Sequence, residues 1–503
     1  MIDRLVKHDG AVYLLLAGYF TVNLLARLAM PGTLEFDEGQ QLFFGQWIAI
    51  GYDSQPPFYN WLQYGIIQLL GSSVLALAVL KNLMLFLSYL LFGLTAHAII
   101  RDRVLAVNAT LALITFPHIS YEAQRDLSHT VALLFAACMF FFFFVRSLQR
   151  PTVVNYAMAG VSIGIGILSK YNFVLLPLAA AIALLPDRQL RRRLFDWRTL
   201  LMVAVGAAIV TPHALWFLDH VGTATAETIQ KLTDEQNGSY LAQIGEGFLS
   251  LVLAVVTFIL PTLAIFAIAF GRILLRSWRA QNLWTQLIGR LFVISVVLVV
   301  PLVLFGGASN IRARWLLPFF FVLPIYICAK IEASGEAYGT APRRFGAICL
   351  AIMLIVPLLI FSRPLLGLTG NYNKHNVPFG PAIAAILTSN QDRPSAVLAG
   401  DQQLAGNLRL HASDIPVTVP GYESFEEPYV FDATHPVLVV WRGADGRAAP
   451  SLPDTLRDWL ERKGLWAGKP LAVQDAAFPY HYGREGDVHH FGYAWIYPPA
   501  PGA

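Results

Sequence analysis

Residues 31–73 read PGTLEFDEGQQLFFGQWIAIGYDSQPPFYNWLQYGIIQLLGSS. The stretch lies between two long apolar runs. It carries Glu35, Asp37, Glu38 and Asp53 and no Lys or Arg. Carboxylates held against a bilayer are costly, which makes them functional candidates. The apolar segment 57–71 at its end decides the topology. If it crossed a membrane, every later loop would change sides.

The whole chain is 56% hydrophobic and only 14% charged, against about 25% charged in a soluble domain. That composition implies a polytopic membrane protein. Apolar runs at 11–30, 74–100, 104–118, 127–146, 153–169, 171–186, 199–218, 246–271, 287–306, 314–330 and 345–366 predict about 11 transmembrane helices. Arg4 and Lys7 precede the first run, as in a signal peptide. That run is long enough to span and no small-residue cleavage site follows, so it reads as an uncleaved helix.

Charge places the loops. With the N-terminus inside and 57–71 outside the spanning set, Arg101, Arg103, Arg146, Arg150 and the Arg-rich 187–198 loop fall inside. The outer loops then hold only Arg125, Lys170, Lys231, Arg312 and Arg314 before the C-terminal part. This is the positive-inside pattern. Segment 57–71, with Tyr59, Trp61 and Tyr64, is therefore expected as a juxtamembrane helix on the outer face. Cys138, Cys328 and Cys349 all sit in apolar runs and predict no disulfide framework.

Residues 367–503 are a different material, in which charge, Pro and Gly return. SAVLAG, PVTVP and PVLVVWRG read as strands and SLPDTLRDWLERKG as a helix. The expected organisation is a transmembrane domain over 1–366, with 31–73 as its first outer loop, and a small α/β domain over 367–503 on the outer side.

Several polar groups fall on that outer face: Asp37 and Glu38; Asp53 and Gln55 around the proline pair; Arg125 and Asp126 in YEAQRDLSHT; Lys170 in GIGILSKYN; Arg312 and Arg314 in SNIRARWLLPFF; Lys81 with Asn82 lies inside a spanning helix near its outer end. Acids and bases gathered at one interface suit transfer between an anionic lipid headgroup and a hydroxyl. Cations hold a phosphate, Arg as a fork and Lys as a point charge. A carboxylate takes the acceptor's proton. A phosphate leaves as a stable anion, so cations suffice. No cofactor is called for, and a divalent metal stays open. His481, His489 and His490 lack ligand spacing, and no feature suggests nucleic acid.

The order of DE after the first helix, PPFYNWL, RDLSHT, GIGILSKYNFVLLPL and RWLLPFFFVLP resembles the GT-C glycosyltransferases. The likeness is to the branch of lipid A aminoarabinose transferase and the protein O-mannosyltransferases. It covers roughly residues 10–330. It implies a polyprenyl-phosphate sugar donor and a periplasmic acceptor such as lipid A, lipopolysaccharide core or another glycolipid, at the bacterial inner membrane. It implies transfer with inversion. Asp37 matches the family's early acidic base, with Glu38 as a second catalytic candidate. Asp126 matches the acid of a later loop, and Lys170 the lysine after the glycine-rich run. Gln55 stands where relatives often have Lys or His, and Trp315 where Tyr is usual. Structural roles compete at each position: Asp37, Glu38 and Asp126 as helix caps, Lys170 and Lys81 as snorkelling cations, Arg312 and Arg314 as lipid anchors. The other functions weighed are a transporter or flippase of a lipid-linked sugar, a protein O-glycosyltransferase and a non-catalytic lipid-binding scaffold.

Overall fold

Within lipid a backbone N–H finds no water, so the apolar runs satisfy their peptides internally and fold as helices. The structure, a computed structural model, describes His8 and residues 10–225, 240–422, 425–466 and 471–498. Arg4, Lys7 and Lys231 of the charge argument lie outside the described residues. Among those described, seven helices are long and apolar enough to span, and nine if two bent pairs each count once. The seven are Ala11–Leu28, Val74–Ile99, Ser128–Gln149, Arg198–Asp219, Tyr240–Phe270, Leu283–Leu304 and Ala341–Thr369. Expected spans at 153–169 and 171–186 appear as the shorter apolar helices Val153–Ile167 and Tyr171–Leu184.

Proline explains both bends. Arg103–Thr115 and His118–Arg125 meet at 69° around Pro117, and Ala313–Phe320 and Leu323–Ser334 meet at 43° just before Pro324. Proline removes a ladder hydrogen bond and clashes with the preceding turn. Segment 57–71 folds as the 13-residue helix Phe58–Leu70. Large apolar side chains stay exposed along Arg198–Asp219, among them Leu200, Val203, Leu215 and Leu218. Water would penalise such a surface; lipid does not.

The contacts divide the chain into two compact units. One comprises Met1–Val22, Ala49–Tyr59 and Lys81–Val356; the other comprises Asn23–Ile48, Asn60–Leu80 and Pro357–Ala503. In the first, Val153–Ile167 packs on Arg198–Asp219 through glycines. A Cβ on Gly160 would lie 2.4 Å from the Met202 carbonyl oxygen. Small residues let such helices approach without a polar seam.

The second unit contains a five-stranded sheet. Its strands are β1 (Ala396–Ala399), β2 (Val417–Thr418), β3 (Val437–Arg442), β4 (Gln474–Pro479) and β5 (Val488–Ile496), in the order β2-β1-β3-β5-β4. β1 runs parallel to both β2 and β3, with Leu398 opposite Val439; β5 is antiparallel to β3 and β4. Helix Asp454–Arg462 buries Leu456, Trp459 and Leu460, the i, i+3, i+4 stripe of an amphipathic helix. They pack on Leu398, Val437, Val439 and Trp441. The helices Phe36–Phe44 and Gln402–His411 lie backbone to backbone. A Cβ on Gly406 would lie 2.1 Å from the Gly39 oxygen, and one on Gly39 2.9 Å from the Gln403 Cα. No side chain fits between them.

Candidate active site

In the first unit, the chain break around Lys170 organises the polar residues. Helix Val153–Ile167 ends, Lys170 adopts an extended conformation, and a 3-10 turn Tyr171–Val174 restarts the path. Lys170 Nζ donates to Thr130 Oγ1 at 2.9 Å. Asn172 Nδ2 donates to the Trp315 carbonyl at 3.0 Å, which ties this break to the RARWL turn. The Phe58 amide donates to the Leu168 carbonyl. Tyr171 and His213 share a hydrogen bond of 3.1 Å, and His213 reaches the Ile50 carbonyl. Asp53, buried, acts electrostatically on Tyr171 and accepts from the Gln55 amide at 3.0 Å. The structure thus gathers Asp53, Gln55, Lys170 and the turn after Arg312 into one neighbourhood.

A second, helical segment of that unit holds Arg125 and ends at Asp126. His118–Glu122 is a π-helical turn, a form that recurs at functional sites. Glu122 takes His118 at 2.9 Å and also feels the charges of Arg125 and Arg314. Sequence reasoning missed Glu122. It lies in the quoted YEAQRDLSHT run, four residues after His118, and that i, i+4 spacing was its signal. Leu127 has φ 68° and ψ 47°, an outlying backbone for a bulky side chain of the kind that collects at functional sites. Leu127, not Asp126, occupies the N-cap of Ser128–Gln149. Nearby, Gln124 donates to Asn82 Oδ1 at 3.0 Å. Lys81, beside Asn82, is 3% exposed, and its ammonium has no hydrogen-bond partner among the described residues. A buried ammonium without a partner is expensive.

In the second unit, Asp37 and Glu38 differ. Helix Phe36–Phe44 starts from Glu35 as N-cap, so Asp37 lies in the first turn and is half-buried. Glu38 is buried and engaged on both oxygens. Arg27 donates to Oε1 from Nε at 3.0 Å and to Oε2 from Nη2 at 2.8 Å, and the Glu35 amide donates to Oε2 at 3.1 Å. Glu35 itself faces Arg363 at 2.5 Å and His375 at 3.4 Å. His375 Nδ1 lies 3.0 Å from the Thr33 carbonyl. Its imidazole is pushed down to about 3 by burial first, then by Arg27 and Arg363, against the pull of Glu38 and the Thr33 carbonyl. Arg27, Arg363 and His375 were not legible as site neighbours, because they come from distant segments. The next peptide is bracketed too: Asn407 accepts from the Leu34 amide and Gln403 donates to the Leu34 carbonyl.

Comparison with known proteins identifies the family. The model of the dolichyl-phosphate-mannose-protein mannosyltransferase family matches residues 54–216. The chain is 43% identical to the lipopolysaccharide core galacturonosyltransferase RgtB of Rhizobium johnstonii, over 97% of this chain and 98% of that one. It is 39% identical to the lipopolysaccharide core galacturonosyltransferase RgtA of the same organism, over 99% of both. The chain belongs to the GT-C membrane glycosyltransferases. In fold, this glycosyltransferase is similar to ArnT of Cupriavidus metallidurans. The TM-score is 0.60 in the apo state and 0.59 with undecaprenyl phosphate bound, at 16% and 15% identity, covering 97% of this chain and 98% of that one. The resemblance drawn from the sequence and the reading as an enzyme are both correct. The transporter and scaffold alternatives fall away. The glycosyltransferase is a multi-pass membrane protein with a small C-terminal sheet domain.

Proposed function

We propose that this enzyme transfers galacturonic acid from a polyprenyl-phosphate carrier to a lipopolysaccharide acceptor, core or lipid A, at the periplasmic face of the inner membrane. One observation carries the donor half: the Lys81 ammonium is buried without a hydrogen-bond partner among the described residues. An anion resolves that cost, and a lipid phosphate is the anion a membrane enzyme meets. The names of the relatives support the sugar, and the outward face follows from the positive-inside pattern.

In this reading Lys81, Lys170, Arg312 and Arg314 neutralise the donor phosphate, with Arg125 and Asp126 beside them and Gln55 touching substrate. Asp37 is the general base. The acceptor oxygen attacks the anomeric carbon while Asp37 takes its proton. The bond from that carbon to the phosphate oxygen breaks, and the polyprenyl phosphate leaves with the electron pair. A single displacement inverts the anomeric centre. Glu38 supports rather than reacts, since both its oxygens are occupied.

The test is mass spectrometry of lipopolysaccharide from a deletion strain, complemented with the wild type or with Asp37→Asn. The deletion is expected to lose a galacturonic acid that only the wild type restores. An unchanged glycolipid profile on deletion rejects the substrate assignment. Full restoration by Asp37→Asn rejects the base.

A further inference from the structure

The second unit has a cavity of about 830 Å³ with no part in the mechanism above. Its position follows from sheet order. The chain leaves β1 through helix Gln402–His411 to β2 on one side, then returns to β3 on the other. The order 2-1-3 makes a topological switch point between β1 and β3, and open α/β sheets bind ligands outside the carboxyl ends of strands at such points. The cavity is lined by Gly400 and Asp401, just beyond β1, and by Trp441, Arg442 and Gly443 at the end of β3.

Its chemistry is that of a polar ligand with a flat face. Tyr480 and Tyr372 stack with ring centroids 3.9 Å apart and 7° between planes, and both line the cavity. His489 also lines it and is 6% exposed. One ring nitrogen, Nδ1, shares a 3.1 Å hydrogen bond with the Tyr480 hydroxyl; the other, Nε2, is buried and has no hydrogen-bond partner among the described residues. Burial, then Arg442, His490 and Lys374, push this imidazole down to about 4, so it is neutral at neutral pH and asks for a hydrogen bond rather than a counter-ion.

Charge selects further. Arg442 is spent on Asp401, at 2.7 Å, and on Gln403; Arg363 is spent on Glu35. Lys374 lines the cavity, is exposed, and has no carboxylate partner among the described residues. Helix Asp454–Arg462 opens onto the cavity through Pro453 and Thr455, with no side-chain cap bond. Its first-turn donors and its dipole favour an anion. Three acids oppose this: Asp401, which Arg442 neutralises; Asp445, which is exposed at the rim; and Asp454 in the helix's first turn, which is exposed and paired with Arg457.

We propose that this crevice binds an acidic sugar of the acceptor glycolipid, with its anionic group between Lys374 and the start of helix Asp454–Arg462 and its ring against the stacked tyrosines. The inference rests on the reading that the acceptor is a lipopolysaccharide. The anion is a carboxylate or a phosphate ester. The crevice would hold the acceptor's acidic sugar while another hydroxyl reacts.

Ligand-observed NMR on the full-length protein in detergent tests this with galacturonic acid, galactose and inorganic phosphate as probes. Saturable binding of galacturonic acid is expected, with galactose much weaker. Lys374→Gln should weaken galacturonic acid about tenfold, the worth of one charge-assisted contact, and leave galactose unchanged. It should also raise KM for the glycolipid acceptor with kcat retained. Phosphate that displaces galacturonic acid assigns the subsite to phosphate esters as well; phosphate without effect restricts it to carboxylates. Equal binding of galacturonic acid and galactose, or unchanged binding in both Lys374→Gln and Lys374→Glu, overturns the proposal. Repeating the titration in Asp37→Asn separates it from the transfer reaction: the crevice should bind whether or not the enzyme turns over.

Discussion

Asp37 and Glu38 are adjacent carboxylates in one helical turn, yet their surroundings differ, and the proposed mechanism gives them different roles. Glu38→Gln leaves the Arg27 guanidinium, buried beside it, without its charge partner. Breaking one side of a buried pair costs about 3–5 kcal/mol, so this variant should lower thermal stability and the yield of folded protein. Asp37→Asn sits half-exposed and should melt as the wild type does, while transfer falls about 100-fold to 10,000-fold through loss of a general base. The pair of variants, measured by thermal shift and by turnover of the folded fraction, separates support from chemistry. If Glu38→Gln were stable and inactive while Asp37→Asn turned over normally, the base would be Glu38. Lys81 has the opposite signature. Replacing a buried ammonium that has no hydrogen-bond partner among the described residues by Met removes a desolvation cost, so Lys81→Met should melt higher and use donor poorly. A lower melting temperature would mean that the ammonium is paired in the folded enzyme. His375 adds a pH dependence. Its folded-state value near 3 lies below its ordinary 6.5, so the unfolded chain binds the proton first. Stability is present above 6.5 and is lost as pH falls toward 3, by at most about 1.4 kcal/mol per pH unit. Melting temperatures at pH 7 and pH 5 should diverge in the wild type and converge in His375→Asn; an identical slope in both removes His375 from the account.

The helices were legible from hydropathy because lipid rewards the same property that hydropathy measures. Their ends and breaks were less so. Pro117 and Pro324 bend two expected spans, and Leu127 rather than Asp126 starts the Ser128–Gln149 helix. The strands β1 and β3 and the helix Asp454–Arg462 were read from their patterns. The helix Gln402–His411 was not. Its Gln402, Gln403 and Asn407 are buried, and a polar pattern ordinarily reads as surface. Here Gln403 and Asn407 turn inward to satisfy the Leu34 peptide, a partner hundreds of residues away that local sequence does not reveal. The same holds for the Gly39–Gly406 crossing, whose glycines signalled nothing until they were opposed. This gives an element-scale prediction. Gly406→Ala places a methyl against backbone, which cannot move aside as a side chain does. Overpacking of this kind costs about 1–3 kcal/mol, and both stability and transfer should fall. Gly65 lies inside the Phe58–Leu70 helix with nothing within 4 Å of a Cβ. There Gly65→Ala should stabilise by about 0.5–1 kcal/mol through helix propensity alone. Thermal denaturation of the two variants should shift in opposite directions. Shifts of the same sign would mean that the crossing is not tight.

At the scale of the whole molecule, sidedness decides what the enzyme can meet. The cations of the Arg188–Leu194 helix, together with Arg198 and with Arg343 and Arg344 at the start of the last long helix, are the strongest topological signal in the chain. Lys and Arg are retained on the cytoplasmic side. With the N-terminus inside, keeping both groups there requires that the Phe58–Leu70 helix not cross, and its 13 residues fall short of the roughly 20 that a span needs. On the proposed topology, the loop carrying Asp37 and the sheet domain carrying the crevice share the outer compartment. A nucleotide sugar, made and kept in the cytosol, would not reach them; a lipid-borne sugar, once flipped, would. Fusion of a reporter that is active only outside the cytoplasm, placed after residue 366, should therefore give activity, and the same reporter placed at residue 195 should give none. The reverse pattern would put Asp37 in the cytosol. In that event the polyprenyl carrier loses its rationale, because a soluble nucleotide donor would serve the same face.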